Sequence, residues 1–600
     1  MMSSKIISII LTILIVAAGG ASAFDTLYVD AELDTLRKDI SGTVIYTLPE
    51  TPITYSFEFQ LFANVYASEN SPYLRNKSKL AGMLKNSGKR GEMKIDSVLL
   101  DGRNVSSIIQ IDYTRLMFRP EEESRLNGRE VKIFFRTRIP EMADRLFYYG
   151  DAYFLDGWFP YPAILLDDGT WYNPYYDTFA EPTGGYFHFD IKLHLPDNMV
   201  IAAPVTPEII ASDGTLKACR FAFGPAHDFV LGLSPDYMVD SSLTGDIETK
   251  IYYRSFEQPV LDRIKTAAHH AIEYMTEHVG EYIYDDLTYV LIDMVEAGGV
   301  ELPGLIGLGS PRGGALVSRY YESLVIHETI HQWFYAAVNT DQIKTPWMDE
   351  SVTSFFTLKV MEKYYGVEAN SLDFAGFKLS ERDQLRAMSS MSRDYGPLNR
   401  PTDAFADGHD FFGTIYSRGA LILETFDNLL TDTLSSSFWS EYYRRYKFDT
   451  PSPEDFTTLA GETAGAEIKT ALEKLIDGAG DIDYSVTNLT NEQIDSVTFE
   501  IKFTLGCKGD IDYPVKYSPV LYNNDTVDYF WAPEYNSENI TLRLAAPANE
   551  IIVDPDHIFA VDDNLLNNSV TYGADSRAGF RLSSGVMFLI ESLFSFVGGM

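Results

Sequence analysis

Two histidines four residues apart are the feature of this sequence with the clearest chemical meaning. The HExxH motif at residues 327–331 puts His327 and His331 on one face of a helix, where both imidazoles could bind one metal ion. Glu328 lies between them and could reach a water molecule on that metal. Glu350, nineteen residues after the second histidine, is the candidate third ligand. Three protein ligands and a water molecule are typical of catalytic zinc.

The residues around this motif favour a buried metal centre over an exposed polar turn. Apolar residues on both sides predict a helix from about Arg319 to Val338. Imidazoles and a carboxylate on a largely buried helix need partners, because unpaired buried polar groups cost free energy. We therefore expect one Zn²⁺ per chain. Asp349 is the alternative third ligand, and an acidic pair with Glu350 at a helix start is also what capping favours.

Two further segments could complete an active site. Consecutive glycines at Gly298 and Gly299 let an extended backbone pass close to a ligand. Glu301, just beyond them, could hold a substrate ammonium through charge-assisted hydrogen bonds. Tyr416, at a predicted helix start, could stabilise an oxyanion. Taken separately, the glycine segment is also compatible with an ordinary turn, and the tyrosine with a core residue.

Taken together, these segments resemble the gluzincin zinc aminopeptidases, the family of aminopeptidase N and the leukotriene-hydrolase aminopeptidases. The matching parts are HExxH with its later glutamate, Gly298-Gly299-Val300-Glu301, and Tyr416 within Tyr-x-Arg-Gly-Ala. The resemblance covers roughly residues 24–570. Val300 and Leu302 depart from it, since the family usually has Met and Asn there.

The resemblance implies a role for each matching residue around the metal. His327, His331 and Glu350 would bind the zinc ion. Glu328 would remove a proton from the attacking water and pass it to the leaving amine. Tyr416 would share the oxyanion charge with zinc.

The resemblance also implies how a peptide would be held. Glu301 would bind the free α-ammonium of the substrate, and the backbone at Gly298 and Gly299 would pair with the extended peptide. In the family, an N-terminal-domain residue often assists this glutamate, and Asp156 is a candidate for that part. His409 is either a residue that lines the site or an ordinary loop histidine.

The order of sequence patterns predicts a multidomain α+β fold. Strand alternation dominates residues 24–246, helical periodicity with some strands fills 247–478, and strands return over 479–575. The resemblance identifies these segments as an N-terminal β domain, a thermolysin-like α/β zinc catalytic domain with a helical extension, and a small C-terminal β domain. The extension is short for the family, which predicts an open cleft that admits longer peptides.

Both ends of the chain are apolar. Residues 1–23 have the pattern of a signal peptide, with Lys5 before an apolar run and Ala-Ser-Ala before Phe24. We therefore expect an exported protein, secreted or associated with the cell envelope. Residues 576–600 form an apolar tail. Its segment 585–597 is too short to span a bilayer and is expected to pack on the C-terminal domain or to contact a membrane surface.

Composition excludes some partners. The 86 acidic residues against 48 Lys and Arg give a formal net charge of −38, which disfavours nucleic acid as a partner. Only Cys219 and Cys507 are present, too few for a disulfide framework, and both are expected to be buried. The sequence does not indicate an oligomeric state.

The function that these observations predict is a zinc-dependent metallopeptidase. It would remove N-terminal residues from peptides with a free N-terminus, by attack of zinc-activated water on the first peptide bond. Three alternatives stay open: an endopeptidase on the same zinc site, a small-molecule hydrolase there, and a non-catalytic peptide-binding protein. N-terminally blocked peptides would separate the first alternative from the aminopeptidase.

Overall fold

A computed structural model describes most of the chain. It covers residues 24–573 apart from 121–123, 177, 181–183, 256–257, 293–297, 310–318, 375–376, 393–395, 479–481 and 510–512. The predicted signal peptide and the predicted apolar tail lie outside the described residues.

The N-terminal part of the chain consists mainly of strands, with one short helix, α1 (Ser78–Met83). The strands are β1 (Thr26–Asp34), β2 (Asp39–Thr47), β3 (Phe57–Gln60), β4 (Glu92–Leu100), β5 (Arg103–Asn104), β6 (Ile109–Asp112), β7 (Arg115–Phe118), β8 (Glu130–Arg138), β9 (Leu146–Tyr149), β10 (Ala152–Leu155), β11 (Tyr161–Pro162), β12 (Ile164–Leu165), β13 (Trp171–Tyr172), β14 (Phe187–Pro196), β15 (Val200–Ala202), β16 (Glu208–Ser212), β17 (Leu216–Ala226) and β18 (Leu231–Ser234).

These strands form one large sheet and three smaller ones. The large sheet has the order β16-β17-β14-β1-β2-β8-β4-β5, with β1 and β14 parallel and the other described pairs antiparallel. The smaller sheets are β15-β18-β10-β9, β11-β3-β7-β6 and β12-β13. Buried and more exposed residues alternate along β8 and β14, as the sequence predicts, because one face of the sheet covers the core.

The middle of the chain combines a small sheet with a set of helices. Its strands are β19 (Met238–Thr244), β20 (Ile247–Tyr253), β21 (Asp286–Ile292), β22 (Gly299–Leu302), β23 (Leu305–Gly309), β24 (Leu372–Phe374) and β25 (Phe377–Leu379). Its helices are α2 (Gln258–His278), α3 (Tyr320–Ile330), α4 (Trp347–Tyr365), α5 (Glu381–Met391), α6 (Gly408–Phe412), α7 (Gly419–Leu429), α8 (Asp432–Tyr446), α9 (Pro453–Ala464) and α10 (Ala466–Asp477), with a π-helix at Gly413–Arg418.

The five-stranded sheet of this region lies between two cores. Its order is β19-β20-β21-β23-β22, and β22 pairs antiparallel with β23 at the edge. Alternate residues of β21 face opposite sides: Tyr289 and Leu291 join the core of the helical region, whereas Val290 and Ile292 join the core of the N-terminal part. Because both faces are covered, the edge strand β22 is held in a fixed position relative to α3.

The helix that carries the HExxH motif ends earlier than predicted. The sequence pattern predicts a helix to Val338, but α3 ends at Ile330, and the chain then forms turns. Tyr335 has φ 140°, which a helix does not allow. The Gln332 side chain also bonds to Leu302 instead of facing solvent. The prediction is therefore wrong beyond Ile330, because tertiary contacts override the apolar pattern.

Tyr416 lies inside a helical segment and not at its start. The π-helix that contains it joins α6 directly to α7, so the predicted position at a helix start is wrong. The residue types of this segment do not distinguish a π-turn from a turn of α-helix in the sequence. Single π-turns are frequent at functional sites, because the extra residue per turn redirects a side chain.

The C-terminal part is again made of strands. They are β26 (Ile482–Gln493), β27 (Phe499–Gly509), β28 (Val515–Leu521), β29 (Tyr529–Trp531), β30 (Ser537–Leu544), β31 (Ala548–Val553) and β32 (Ser569–Thr571). They form the sheets β26-β27-β30 and β29-β28-β31-β32. Short 3-10 turns complete the described chain at Phe62–Tyr66, Pro72–Leu74, Ser87–Lys89, Ser106–Ile108, Thr402–Ala404 and Leu565–Asn567.

The predicted fold class is confirmed: a β-rich N-terminal part, a helical region and a C-terminal β part follow one another. The predicted domain boundaries stay predictions, and the one at residue 246 falls in the turn between β19 and β20. Cys219 and Cys507 are both buried, as predicted. Among the described residues, no helix has the length and apolar character needed to cross a membrane.

Candidate active site

Three side chains, one each from α3, from the residue that caps its end and from α4, converge on one point. The His327 Nε2 atom lies 3.2 Å from Glu350 Oε2 and 3.2 Å from His331 Nε2. The His331 Nε2 atom lies 3.4 Å from the same Glu350 oxygen. The helical spacing of the two histidines and the packing of α4 against α3 bring these three donor atoms together.

This geometry fits a tetrahedral zinc ion. Zinc–ligand bonds of about 2.0–2.1 Å separate neighbouring donors of a tetrahedral site by about 3.3–3.4 Å. The three donor atoms already have nearly this spacing. The carboxylates of Asp349 and Glu350 raise the pKa of His331 well above its usual value although burial opposes them, so the cluster attracts a cation. In the part of the chain that the structure describes, it is the one group of three such ligands.

The ring nitrogen of His331 that faces away from this point has an acidic partner. Its Nδ1 atom lies 2.8 Å from Asp349 Oδ1, and Asp349 is fully buried. Gln342 donates a 2.6 Å hydrogen bond to the other oxygen of this carboxylate. The same Nδ1 atom lies 3.1 Å from Phe334 O and 3.2 Å from Thr353 Oγ1. Asp349, the alternative third ligand in the sequence, is therefore one of three groups that orient the ring of His331. Thr357 Oγ1 lies 3.4 Å from Nδ1 of His327 and occupies the corresponding position there.

Glu328 is buried beside the three donors with one oxygen unused. Its Oε2 atom has no hydrogen-bond partner among the described residues, although the side chain is only 5% exposed. Burial, and then the neighbouring Glu301 carboxylate, raise the pKa of Glu328 well above its usual value. A buried carboxylate oxygen without a partner is suited to a water molecule or a substrate proton.

Gly299 lies directly against this carboxylate. A Cβ atom built on Gly299 would come within 2.3 Å of the Glu328 carboxyl group. The absence of a side chain at this position is therefore what allows the edge strand β22 to approach the Glu328 carboxylate. The adjacent Gly298 has φ 156°, a backbone conformation that side-chain-bearing residues rarely adopt.

Glu301 is presented to the cavity by the β22–β23 hairpin. It lies opposite Ile306 in the antiparallel pair and is 8% exposed. Gln332, the residue after the second histidine, binds this hairpin through both ends of its amide: Gly304 N donates to it at 2.9 Å, and it donates to Leu302 O at 3.0 Å. The end of α3 thereby fixes Glu301 relative to the metal ligands.

Arg145 is a neighbour of Glu301 that sequence reasoning missed. Its Nη2 atom lies 3.8 Å from Glu301 Oε1, and its Nη1 atom lies 3.3 Å from Asp156 Oδ2. Asp156, the sequence candidate for holding the amine with Glu301, is 2% exposed and contacts this arginine. No sequence signal links residues 145 and 301, because the packing of two domains brings them together.

Tyr416 lies on the far side of the ligand set. Its hydroxyl donates a short hydrogen bond to Glu350 Oε1, the oxygen that does not face the histidines. Burial, and then the Glu350 carboxylate, raise the pKa of Tyr416 well above its usual value, so the phenol stays neutral and can donate.

The residues of the candidate site line a cavity that has two sides. The metal ligands and Glu328 border a side walled by α3 and α5, through Tyr320, Leu385 and Met388. The other side lies between the N-terminal part and α6, and Glu301 and Tyr416 border both sides. His409 is exposed on α6 and does not border either side. The functional roles predicted for the site residues stay predictions.

Comparison with known proteins identifies the central part of the chain. Residues 265–475 match the peptidase family M1 domain. The mouse glutamyl aminopeptidase is 23% identical over 261 residues, which is 39% of this chain and 25% of the mouse protein. Aminopeptidase 2 of Candida albicans is 19% identical over 395 residues, 63% of this chain and 42% of the yeast protein. The chain spans about a quarter of the length of the glutamyl aminopeptidases that it matches.

Solved structures share the fold. The M1 zinc metallopeptidase from Deinococcus radiodurans superposes with a TM-score of 0.53 at 13% identity, over 76% of this chain and 94% of that protein. A mutant of the same metallopeptidase gives 0.52 at 14% identity over the same shares. The fold that the sequence motifs indicate is thereby confirmed. The family match bears out the resemblance over residues 265–475.

Proposed function

We propose, from the premise that residues 265–475 match the peptidase family M1 domain, that this protein is a zinc-dependent aminopeptidase. It would hydrolyse the first peptide bond of peptides with a free N-terminus. The observation that carries the proposal is the convergence of three donor atoms at 3.2–3.4 Å beside a buried glutamate with an unused oxygen. The matched relatives named aminopeptidases support the same conclusion.

His327, His331 and Glu350 would hold the zinc ion. Bound there, zinc would lower the pKa of a water molecule and polarise the scissile carbonyl. Glu328 would accept the proton of that water as it attacks the carbonyl carbon, and would then give the proton to the leaving amine. Its burial favours this exchange, because the protonated form of a buried carboxyl group is readily reached.

Tyr416 and Glu301 would bind two different groups of the substrate. The neutral phenol of Tyr416 would donate a hydrogen bond to the carbonyl oxygen as negative charge develops there. Glu301 would bind the α-ammonium by a charge-assisted hydrogen bond. Among the described strands, β22 pairs only with β23, so its other edge would offer backbone groups to an extended peptide, in the manner of strand addition.

Hydrolysis of a panel of free-amine aminoacyl anilides tests this proposal. Protein lacking residues 1–23 should release the aniline in a reaction that chelators stop and zinc restores. Glu328→Gln should bind zinc normally and lose activity by at least about 10³-fold, since it removes the base. Glu301→Gln should lower kcat/KM by about 10- to 100-fold.

Two results would reject it. If Glu328→Gln kept wild-type activity with one zinc bound, the assigned base would be wrong. If N-acetylated peptides were cut as fast as free ones, the site would belong to an endopeptidase, and Glu301 would not anchor an amine.

We also propose that the protein is exported and resides outside the cytoplasm or at the cell envelope. The basis is the signal-peptide pattern of residues 1–23. Contact of the apolar segment 585–597 with a membrane surface belongs to the same proposal. Fractionation of expressing cells tests it, with the export-blocking deletion of residues 2–23 as control. Equal recovery of both forms in the cytoplasm would exclude export.

A further inference from the structure

The side of the cavity that is walled by α3 and α5 has a carboxylate that the proposed reaction does not use. Glu381, the first residue of α5, borders this side and is only 8% exposed. The other described glutamates that border this side are Glu301, Glu328 and Glu350. Those three are the proposed amine anchor, base and metal ligand. Glu381 has no part in that chemistry.

The negative charge of Glu381 is not matched by a cation among the described residues. Ser323 donates a 3.0 Å hydrogen bond to its Oε1 atom, and in the described part of the chain Oε2 has no partner. The adjacent Arg382 binds Glu362 and Glu424 instead. Burial raises the pKa of Glu381 above its usual value, and the hydrogen bond from Ser323 offsets this only in part.

The surroundings of Glu381 favour a cation that is supplied by the ligand. No lysine or arginine of the described residues borders this side of the cavity. A buried carboxylate costs free energy unless it is paired and hydrogen-bonded. A positively charged group of a bound substrate would complete such a pair.

The position of Glu328 indicates which residue of a peptide lies on this side. Glu328 borders the side walled by α3 and α5, and it does not border the side between the N-terminal part and α6. In the proposed reaction Glu328 gives a proton to the leaving amine, which belongs to the second residue of the peptide. Glu301 holds the first residue. The second residue therefore lies on the same side of the cavity as Glu381.

The separation between Glu381 and the metal ligands fits a long side chain. Ser323, which binds Glu381, precedes His327 by four residues on α3, so the two lie on one face, about 5.4 Å apart along the helix axis. The side chains of Lys and Arg are long enough to cover this separation. Leu385 and Met388 border the same side and offer apolar surface to the methylene groups of such a side chain.

We propose that Glu381 makes this enzyme prefer peptides whose second residue is Lys or Arg. Its carboxylate binds the side-chain ammonium or guanidinium by a charge-assisted hydrogen bond, while Glu301 binds the α-ammonium of the first residue. The two carboxylates thus bind two different positive charges of one substrate. This inference rests on the proposed aminopeptidase function and concerns the residue that follows the cleaved bond.

Peptides that differ only in the charge of the second residue test this preference. Arg and its neutral analogue citrulline have nearly the same shape, so tripeptides with either one at the second position isolate the charge. The first residue is the one that is cleaved fastest from the anilide panel. In wild type, kcat/KM should favour the Arg peptide by about 10- to 100-fold, the size expected for a hydrogen bond between charged groups. Glu381→Gln should bring this ratio close to one, and Glu381→Asp should retain part of it.

A control variant separates this charge from its position at a helix start. Helix α9 begins with the same capping box as α5, and Glu454 is an exposed glutamate of its first turn. Glu454→Gln should leave the ratio unchanged. If Glu381→Gln does not fold, as circular dichroism would show, Leu385→Lys decides. It places a cation four residues after Glu381 on the same helix face, where it competes with the substrate and should lower the ratio.

Three outcomes would overturn the inference. A wild-type ratio near one, with both tripeptides and the anilides cleaved well, would reject the preference and leave the aminopeptidase standing. An equal loss of Arg and citrulline cleavage in Glu381→Gln would mean that Glu381 only supports the start of α5. If neither anilides nor tripeptides were cleaved, the proposed function would fail, and the preference with it.

Discussion

At the scale of single residues, the site depends on groups that do not themselves touch the substrate. Asp349 is fully buried, and its carboxylate faces the Nδ1 atom of His331, whose other nitrogen joins the metal ligands. An acidic partner of this kind fixes the tautomer and orientation of the imidazole and makes it a stronger ligand. Asp349 therefore lies beside the Nδ1 atom of His331, and its neighbour Glu350 lies beside the Nε2 atom.

Replacing this carboxylate should weaken metal binding without removing a ligand. Asp349→Asn is expected to lower zinc affinity by about 10- to 100-fold. Glu350→Gln, which changes a ligand, should lower it further. Competition with a fluorescent zinc chelator measures both. Wild-type affinity in Asp349→Asn would show that the carboxylate does not support His331.

A single methyl group at Gly299 should disable the base. Its Cβ would lie 2.3 Å from the Glu328 carboxyl group, so either the strand or the carboxylate must move. We expect Gly299→Ala to lose at least about 10²-fold in kcat and to keep its zinc, because misplacement of a catalytic group costs about this much. Gly82→Ala, where nothing lies within 4 Å of the added atom, is the control and should match wild type. Normal turnover in Gly299→Ala would contradict this geometry.

The sequence predicts these residues unevenly, for a physical reason. His327, His331 and Glu328 follow from the period of one helix, and Glu350 from a short separation along the chain. Arg145 follows from neither, since 156 positions separate it from Glu301. The distinct position of Asp349 also depends on how α4 rotates against α3, which no local pattern specifies.

At the scale of elements, the turn after α3 connects the candidate metal site to Glu301, the proposed amine anchor. Gln332 is 1% exposed and bridges the β22–β23 hairpin through two hydrogen bonds. The sequence does not predict this turn, because residues 332–338 continue the apolar pattern of a helix. The buried Gln332 amide binds the β22–β23 hairpin and favours this turn over a continued helix. The turn places Tyr335 in a strained backbone conformation, which costs part of the free energy gained.

Removing the Gln332 amide should loosen this connection. Gln332→Ala removes the side-chain partner of the Gly304 N–H and one hydrogen bond to the Leu302 C=O. The loss of the partner of a buried N–H costs about 1–3 kcal/mol of stability. We expect a lower Tm and a larger KM for free-amine anilides, because Glu301 shifts. Differential scanning calorimetry and steady-state kinetics check both, with the exposed Gln258→Ala as control. An unchanged KM would mean that β22 is positioned without this bridge.

At the scale of the whole molecule, the N-terminal part holds the same turn from the other side. His227 Nε2 lies 3.0 Å from Tyr335 O, and Asn339 donates a 2.9 Å hydrogen bond to Gly184 O. The hydroxyl of Tyr186 donates to Ala337 O at 3.0 Å. The packing of two domains thus supports the turn that follows α3. The fold class follows from local sequence patterns, whereas these contacts do not, because they join residues that are far apart in the chain.

The buried His227 should make stability depend on pH. Burial lowers the pKa of His227 to about 4, whereas an exposed histidine in the unfolded chain has a pKa of about 6.5. Below pH 6.5 the unfolded chain therefore binds a proton that the folded protein does not. Stability falls as the pH drops from about 6.5 to about 4, by about 3 kcal/mol in total from this residue.

Thermal unfolding across this range checks the prediction. His227→Gln should show a shallower fall in Tm between pH 6.5 and pH 4.5 than wild type. His188→Gln, an exposed histidine of the same domain, should fall as wild type does. Parallel curves for all three proteins would show that His227 is not the group that titrates.

The most direct test of the central claim is the product pattern from a defined peptide. Purified protein is incubated with a ten-residue peptide and with its N-acetylated form, and the products are read by mass spectrometry over time. An aminopeptidase predicts stepwise loss of single N-terminal residues from the free peptide, none from the acetylated one, and no products when Glu328→Gln is used. Internal fragments from both peptides would contradict the account.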